Sequence, residues 1–197
     1  MSFPSAQALT NVLSPAYLQK RSLAWQATAV VVGSLFLTIS SYIEVPMVPV
    51  PINMQTFAVS LVGALYGWRV GAVTIVAWLL EGAAGLPVLS GGAGGYIHFI
   101  GPTAGYLFAF PIMGVIIGAL CERGWNGDRV FLAFIAMMIG GTVCLALGAV
   151  WLALTIGFEK AIAYGVAPFL VGDVLKAALG AATLKGLAVI RGRLSAS

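Results

Sequence analysis

The sequence predicts an all-α integral membrane protein with about six transmembrane helices and both termini cytoplasmic. Three observations lead there. Of 197 residues, 60% are hydrophobic and 8% charged, whereas a soluble domain carries about 25% charged residues. The apolar residues gather into segments of bilayer-crossing length. The cations fall in alternate connections between those segments. A mean hydropathy of +1.02 agrees, and the 25 glycines suit helices that pack closely in lipid. A net charge of +4 raises the question of nucleic acid. The Lys and Arg are scattered at segment ends, which is an orientation signal and not a nucleic-acid surface.

A helical crossing needs roughly 17–25 apolar residues. The candidates are 24–43, 55–68, 70–85, 103–121, 130–158 and 168–190. The second and third are short and separated only by Gly67, Trp68 and Arg69, so they read as a tight hairpin or as one bent unit. Pro111 is expected to kink the fourth. The fifth is longer than a crossing requires, which predicts tilt. The domain reading is an N-terminal arm at 1–23, a membrane domain at 24–191 and a tail at 192–197. No Lys or Arg lies in residues 1–19, which contain Pro4 and Pro15, so the arm does not read as a cleavable signal.

Lys20 and Arg21 precede the first span, Arg69 separates the second from the third, and Arg123 and Arg129 separate the fourth from the fifth. Lys185, Arg191 and Arg193 close the chain. The other connections hold no cation except Lys160. The positive-inside rule places the cation-bearing connections and both termini in the cytoplasm. The outer connections are more elaborate. One, 44–55, carries three prolines that favour a stiff, extended backbone. Another, 85–103, is apolar and glycine-rich, and glycine lets backbone approach a ligand. Elaborate loops over plain inner turns predict a binding site that opens outward.

Asp173 and Lys176, three residues apart, share one face of the sixth span. Ionisable groups at membrane depth cost about 2.5–3.5 kcal/mol each, and such groups ordinarily have a function. The N-termini of the second, fourth and sixth spans point their positive dipole ends at the same outer region. The pair reads as a holder for a polar ligand or as a self-compensating ion pair that fixes packing. Asn53 and Gln55 stand where the proline loop enters the second span, as ligand contacts or, for Asn53, as a helix cap. Glu81 either lines the cavity or snorkels. His98, alone, reads as a hydrogen-bonded or interfacial residue. Tyr96, after Gly-Gly-Ala-Gly-Gly, is a candidate for stacking on a ligand, while the tryptophans read as belt or packing residues. Cys121 and Cys144 lie in no metal-ligand spacing and read as packing residues, so no metal site is expected. The glycine run lacks the Lys-Ser/Thr of a phosphate loop, no nucleophile–base set stands out, and no enzymatic activity is expected. Ala29 and Gly33, four apart on the first span, form a face that either docks a partner or packs internally.

Four segments in order along the chain, Val48-Pro-Val-Pro-Ile-Asn-Met-Gln-Thr56, Gly82-Ala-Ala-Gly-Leu-Pro-Val88 with Gly91-Gly-Ala-Gly-Gly95, Gly101-Pro-Thr-Ala-Gly-Tyr106, and Gly172-Asp-Val-Leu-Lys-Ala177, resemble the BioY family. Those proteins are the biotin-specific S components of energy-coupling-factor transporters. The resemblance implies a six-helix protein of a prokaryotic cytoplasmic membrane that captures biotin from outside. It implies partnership with a transmembrane coupling subunit and a pair of ABC-type ATPases; some members act alone or as homo-oligomers. No cofactor is implied for the chain itself, since ATP is used only by the partner subunits. Asp173 and Lys176 match the family's pair that holds the ureido head. Gln55 matches the polar position after the proline loop, and Ser90 matches a polar contribution from the third connection. Tyr96 and Tyr106 match the apolar walls. The valerate carboxylate has no arginine in the outer loops to meet it, leaving Lys160, Lys176, His98, loop amides and helix N-termini. An S component for another vitamin and a small-solute channel are the alternative readings.

Overall fold

In the computed structural model, residues 22–196 are described; most of the expected arm at 1–23, with Lys20 and Arg21, lies outside them. Six α-helices follow in order: α1 (Leu23–Ser41), α2 (Gln55–Ala83), α3 (Ala104–Glu122), α4 (Val130–Ile156), α5 (Phe158–Gly165) and α6 (Phe169–Ala196). The all-α expectation holds, with one addition. Strands β1 (Glu44–Val45) and β2 (Ile52–Asn53) pair antiparallel, Glu44 opposite Asn53, so the proline loop is a small hairpin between α1 and α2.

Four helices are long and apolar enough to cross a membrane, and α5 with α6, bent by 42°, makes a fifth candidate. Helix α2 contributes two legs. It breaks at Gly67, whose φ of 76° and ψ of 174° suit only glycine. A Cβ added at Gly71 would stand 3.2 Å from the Cα of Gly63. In an unbroken helix, residues eight apart are about 12 Å apart along the axis. The chain therefore doubles back at Gly67, which selects the hairpin over the single bent unit. With both legs counted, six segments traverse the bundle.

Helix α3 fits into this corner. A Cβ at Gly63 would fall 2.6 Å from the carbonyl oxygen of Gly114. One at Gly118 would fall 2.6 Å from the nitrogen of Trp68 and 2.7 Å from the carbonyl carbon of Gly67. Small residues four apart thus admit backbone against backbone. One turn on, Glu122 Oε1 accepts the freed Trp68 N–H at 3.1 Å, a carboxylate at the positive end of the second leg. Trp78, Ile75, Met113, Ile117 and Met137 fill the core, each 2% exposed or less.

Several expectations change. Ala29 and Gly33 are buried, and a Cβ at Gly33 would meet Thr74 Cγ2 at 2.6 Å and Tyr66 Cε2 at 2.8 Å. The small-residue face of α1 is consumed by α2, because small residues four apart let the nearer neighbour approach; it is not a free docking surface. Helix α5 occupies part of the connection read as a loop, with Ala161 and Gly165 turned inward. The boundary drawn at 192 falls inside α6, which continues to Ala196.

Gly118→Val should lower the midpoint of thermal unfolding in detergent by the equivalent of about 1–3 kcal/mol, the usual cost of overpacking. Gly186→Ala, where an added Cβ meets nothing within 4 Å, should leave it unchanged or raise it slightly.

Candidate ligand-binding site

The loops that look elaborate in sequence close over a cavity of about 390 Å³, within the range of about 300–1,000 Å³ common for small-molecule sites. Helices α2, α3 and α6 all begin at its edge: Gln55 and Thr56, Thr103, and Phe169 line it. Their positive ends converge there, as the alternating topology predicts. The proline hairpin forms one cover through Pro49, Val50 and Pro51, and the glycine loop the other through Leu89, Ser90, Ala93, Ile97 and His98. Both covers are tied down. Val50 is buried with Tyr106, Leu152, Ala161 and Phe169. Trp78 Nε1 donates to the Val88 carbonyl at 3.0 Å, Gly95 N to Gly82 O at 2.7 Å, and Trp151 Nε1 to Gly101 O at 2.9 Å.

Asp173 and Lys176 lie on the cavity wall supplied by α6. Lys176 Nζ donates to Thr56 Oγ1 at 3.1 Å and stands 3.6 Å from Asp173 Oδ1, longer than the roughly 2.7–2.9 Å of a charge-assisted hydrogen bond. The ion pair is loose. It offsets the burial of each charge while leaving carboxylate lone pairs and ammonium protons for a ligand. Thr56, absent from the sequence-derived set, orients the ammonium across 120 residues of chain. Nothing in the sequence marks it beyond its place beside Gln55.

The hairpin side is a connected polar cluster. Asn53 Oδ1 accepts from Gln55 N at 3.0 Å, a side-chain turn that ties Asn53 to the first residue of α2 from one residue outside the N-cap, Met54. Asn53 Nδ2 donates to Gln55 Oε1 at 2.9 Å and to Ser90 Oγ at 2.8 Å. Gln55 Nε2 donates to Ser41 Oγ at 3.1 Å, and Ser90 Oγ donates to the Glu44 carboxylate. No sequence signal marks Glu44 or Ser41; their part depends on loop folding that local sequence does not reveal.

Six of the seven sequence-derived residues, Asp173, Lys176, Gln55, Ser90, Asn53 and Tyr106, line one cavity. Tyr106 is held by a 2.8 Å bond from its hydroxyl to the Gly165 carbonyl and stacks on Phe169 with ring centroids 6.3 Å apart. Tyr96 is the exception. It is 73% exposed and outside the lining, to which the next two residues of the 3-10 turn Tyr96–Phe99, Ile97 and His98, contribute. Glu81 also stays outside the lining, accepting from Ser34 on α1. Lys160 is exposed on α5, away from the cavity. Cys144 lines the cavity while buried, and Cys121 is buried elsewhere.

A bundle of membrane-crossing helices with a loop-capped cavity at one end and a loose ion pair in its wall defines a multi-pass membrane protein built to hold a small polar solute. The chain belongs to the BioY family, whose model matches residues 11–193. It is 42% identical over 158 residues to the biotin transporter BioY of Rhizobium etli, covering 76% of this chain and 83% of that one. It is 37% identical over 156 residues to the "probable biotin transporter BioY" of Pyrococcus horikoshii, covering 78% and 91%. Among solved structures, an S component for biotin from an ECF-type ABC transporter superposes with a TM-score of 0.74 at 27% identity, covering 83% of this chain and 90% of that one.

Tyr106→Phe removes one buried hydrogen bond while keeping the ring. It should cost about 1 kcal/mol of stability, read as a modest fall in unfolding midpoint.

Proposed function

We propose that this chain captures biotin as the substrate-binding S component of an energy-coupling-factor transporter, without covalent chemistry. The observation that carries the reading is the Asp173–Lys176–Thr56 cluster in the wall of a loop-capped cavity. Biotin's ureido ring has two N–H donors and one carbonyl acceptor. Asp173 accepts from an N–H and Lys176 donates to the carbonyl, both charge-assisted. Tyr106, Leu107, Phe110 and Phe169 wall the thiophane ring and tail. Gln55, Asn53 and Ser90 supply the polar contacts beneath the two covers. Ligand entry from the outer face, with both termini cytoplasmic, follows from the cation distribution.

The valerate carboxylate points toward the glycine loop. Of the cations expected on that side, Lys176 and His98 line the cavity and Lys160 does not. His98, loop amides and the converging helix N-termini hold it. In this reading a transmembrane coupling subunit and ABC-type ATPases energise transport, with residence in a prokaryotic cytoplasmic membrane. A channel is disfavoured by the core beyond the cavity, where Met113, Ile117 and Met137 are 2% exposed or less.

The test is radiolabelled biotin binding to the purified protein. Stoichiometric binding is expected, with biotin at ~100-fold its dissociation constant stabilising the fold by about 2.7 kcal/mol. Asp173→Asn should weaken binding by about ten- to a hundredfold, the equivalent of one charge-assisted hydrogen bond; unchanged affinity would remove Asp173 from the site. Lys160→Ala should bind biotin like the wild type while biotin methyl ester binds more weakly. Should Lys160→Ala reproduce the ester's loss, Lys160 is the carboxylate's partner.

A further inference from the structure

Helix α4 carries three glycines, Gly140, Gly141 and Gly148. Two of them are used by the protein's own packing. A Cβ at Gly140 would stand 2.6 Å from Ile117 Cγ1, and one at Gly148 would run into the ring of Tyr106. Gly141 differs: an added Cβ meets nothing within 4 Å, and the residue lines the cavity. We propose that Gly141 is a specificity-determining residue: by presenting no side chain at the level of Lys176, it keeps the cavity wide enough for a fused bicyclic ureido head, and a side chain there narrows the site to slimmer ureas. The proposal rests on the reading of this cavity as the biotin site.

The register of α4 against α6 puts Gly141 at the head-group end. A Cβ at Gly180 would fall 2.5 Å from Met137 Sδ, so those two positions are level. Farther out, Leu152 and Phe169 share one buried cluster, so the two helices run antiparallel. About one turn outward along each helix from the first contact, Gly141 comes level with Lys176. Cys144 and Leu145, three and four residues on and therefore on the same face, also line the cavity. Phe110, Gly141 and Lys176 are the innermost lining residues of α3, α4 and α6. Beneath them the bundle is shut by Met113, Ile117 and Met137, each 2% exposed or less. Glycine inside a helix is less favourable than alanine. At Gly140 and Gly148 close packing offsets that cost. At Gly141 no protein atom takes the space, so it is left to what the cavity holds. A ureido ring paired with Asp173 and Lys176 brings the ring fused to it into this innermost layer. A side chain at position 141 takes the width that the second ring needs.

The experiment measures biotin and desthiobiotin binding to the wild type, Gly141→Ala and Gly141→Val. Desthiobiotin keeps the ureido ring and lacks the sulfur that closes the second ring. Gly141→Ala should unfold at or above the wild-type temperature, whereas Gly140→Ala, which meets Ile117, should unfold below it. Biotin affinity should fall about ten- to two-hundredfold in Gly141→Ala, the usual range for one misplaced methyl group in a pocket, and further in Gly141→Val. Desthiobiotin should lose less, so that the ratio of the two affinities moves toward it by about tenfold. Gly186→Ala, open in the same way but outside the lining, should bind both ligands like the wild type. Wild-type biotin affinity in either Gly141 variant, or equal losses for the two ligands, overturns the proposal. A second measurement needs no ligand. The thiol introduced by Gly141→Cys should react with a charged, water-borne thiosulfonate and add one adduct beyond those of the wild type by mass spectrometry. No added adduct means that position 141 does not face the cavity, which also overturns the proposal. If the wild type binds neither ligand, the biotin reading itself falls, and with it the head that Gly141 sizes. A wild type that binds, with variants that do not discriminate, removes Gly141 alone.

Discussion

Helix α3 and the doubled-back α2 meet backbone to backbone, and the rest of the molecule is arranged around that contact. Gly63 and Gly71 bring the two legs of α2 together, while Gly114 and Gly118 let α3 sit against them. In lipid, apolar side chains gain little by leaving the hydrocarbon for one another. Close approach and dispersion hold such helices together, and both require the absence of a Cβ. Once this core is set, the starts of α2 and α3 are brought to the same end of the bundle. The Gly67 corner occupies the other end, where Glu122 satisfies the exposed Trp68 N–H.

The consequence is a cavity at the loop-bearing end that must reconcile polar groups with an apolar surround. Every buried polar atom has a cost unless it is paired, and among the described residues no fully buried side-chain polar atom lacks a partner. The molecule meets that condition in two ways. On the hairpin side, Glu44, Ser90, Asn53, Gln55 and Ser41 satisfy one another in a single directed chain. On the α6 side, Asp173 and Lys176 are held 3.6 Å apart. A tight, closed pair would satisfy itself and ignore a solute. A loose pair next to a satisfied relay leaves recognition capacity in one wall and rigidity in the other.

The same division explains how the covers relate to the site. The proline hairpin and the glycine loop carry few side chains that reach deep, yet each is anchored by a buried apolar residue, Val50 and Leu89 respectively. Their mutual contact runs through Ser90, which bridges Glu44 and Asn53 of the hairpin. Movement of one cover therefore disturbs the hydrogen bonding of the other and of Gln55 at the start of α2, whose N–H Asn53 accepts.

Hydropathy, cation placement and residue spacing are local properties, and they were enough to determine the membrane class, the crossing segments and the shared face of Asp173 and Lys176. The end of the proline loop marked Gln55 and Asn53, and the resemblance to the family marked Ser90 and Tyr106, as residues worth following to one cavity. Local properties could not choose between a hairpin and a bent helix at Gly67, because φ of a glycine is open until its neighbours pack. They could not tell that Tyr96 stays outside the cavity lining while its neighbours Ile97 and His98 reach it, since a 3-10 turn there sets which side chains meet the cavity. Nor could they show that Ala29 and Gly33 are spent on α2, or that Thr56 and Glu44 belong to the site. Those facts rest on contacts across 46 residues for Ser90 and Glu44 and 120 for Lys176 and Thr56. The local chain specifies which groups are polar and which helices carry them. Only the packed tertiary structure decides which of those groups face one another.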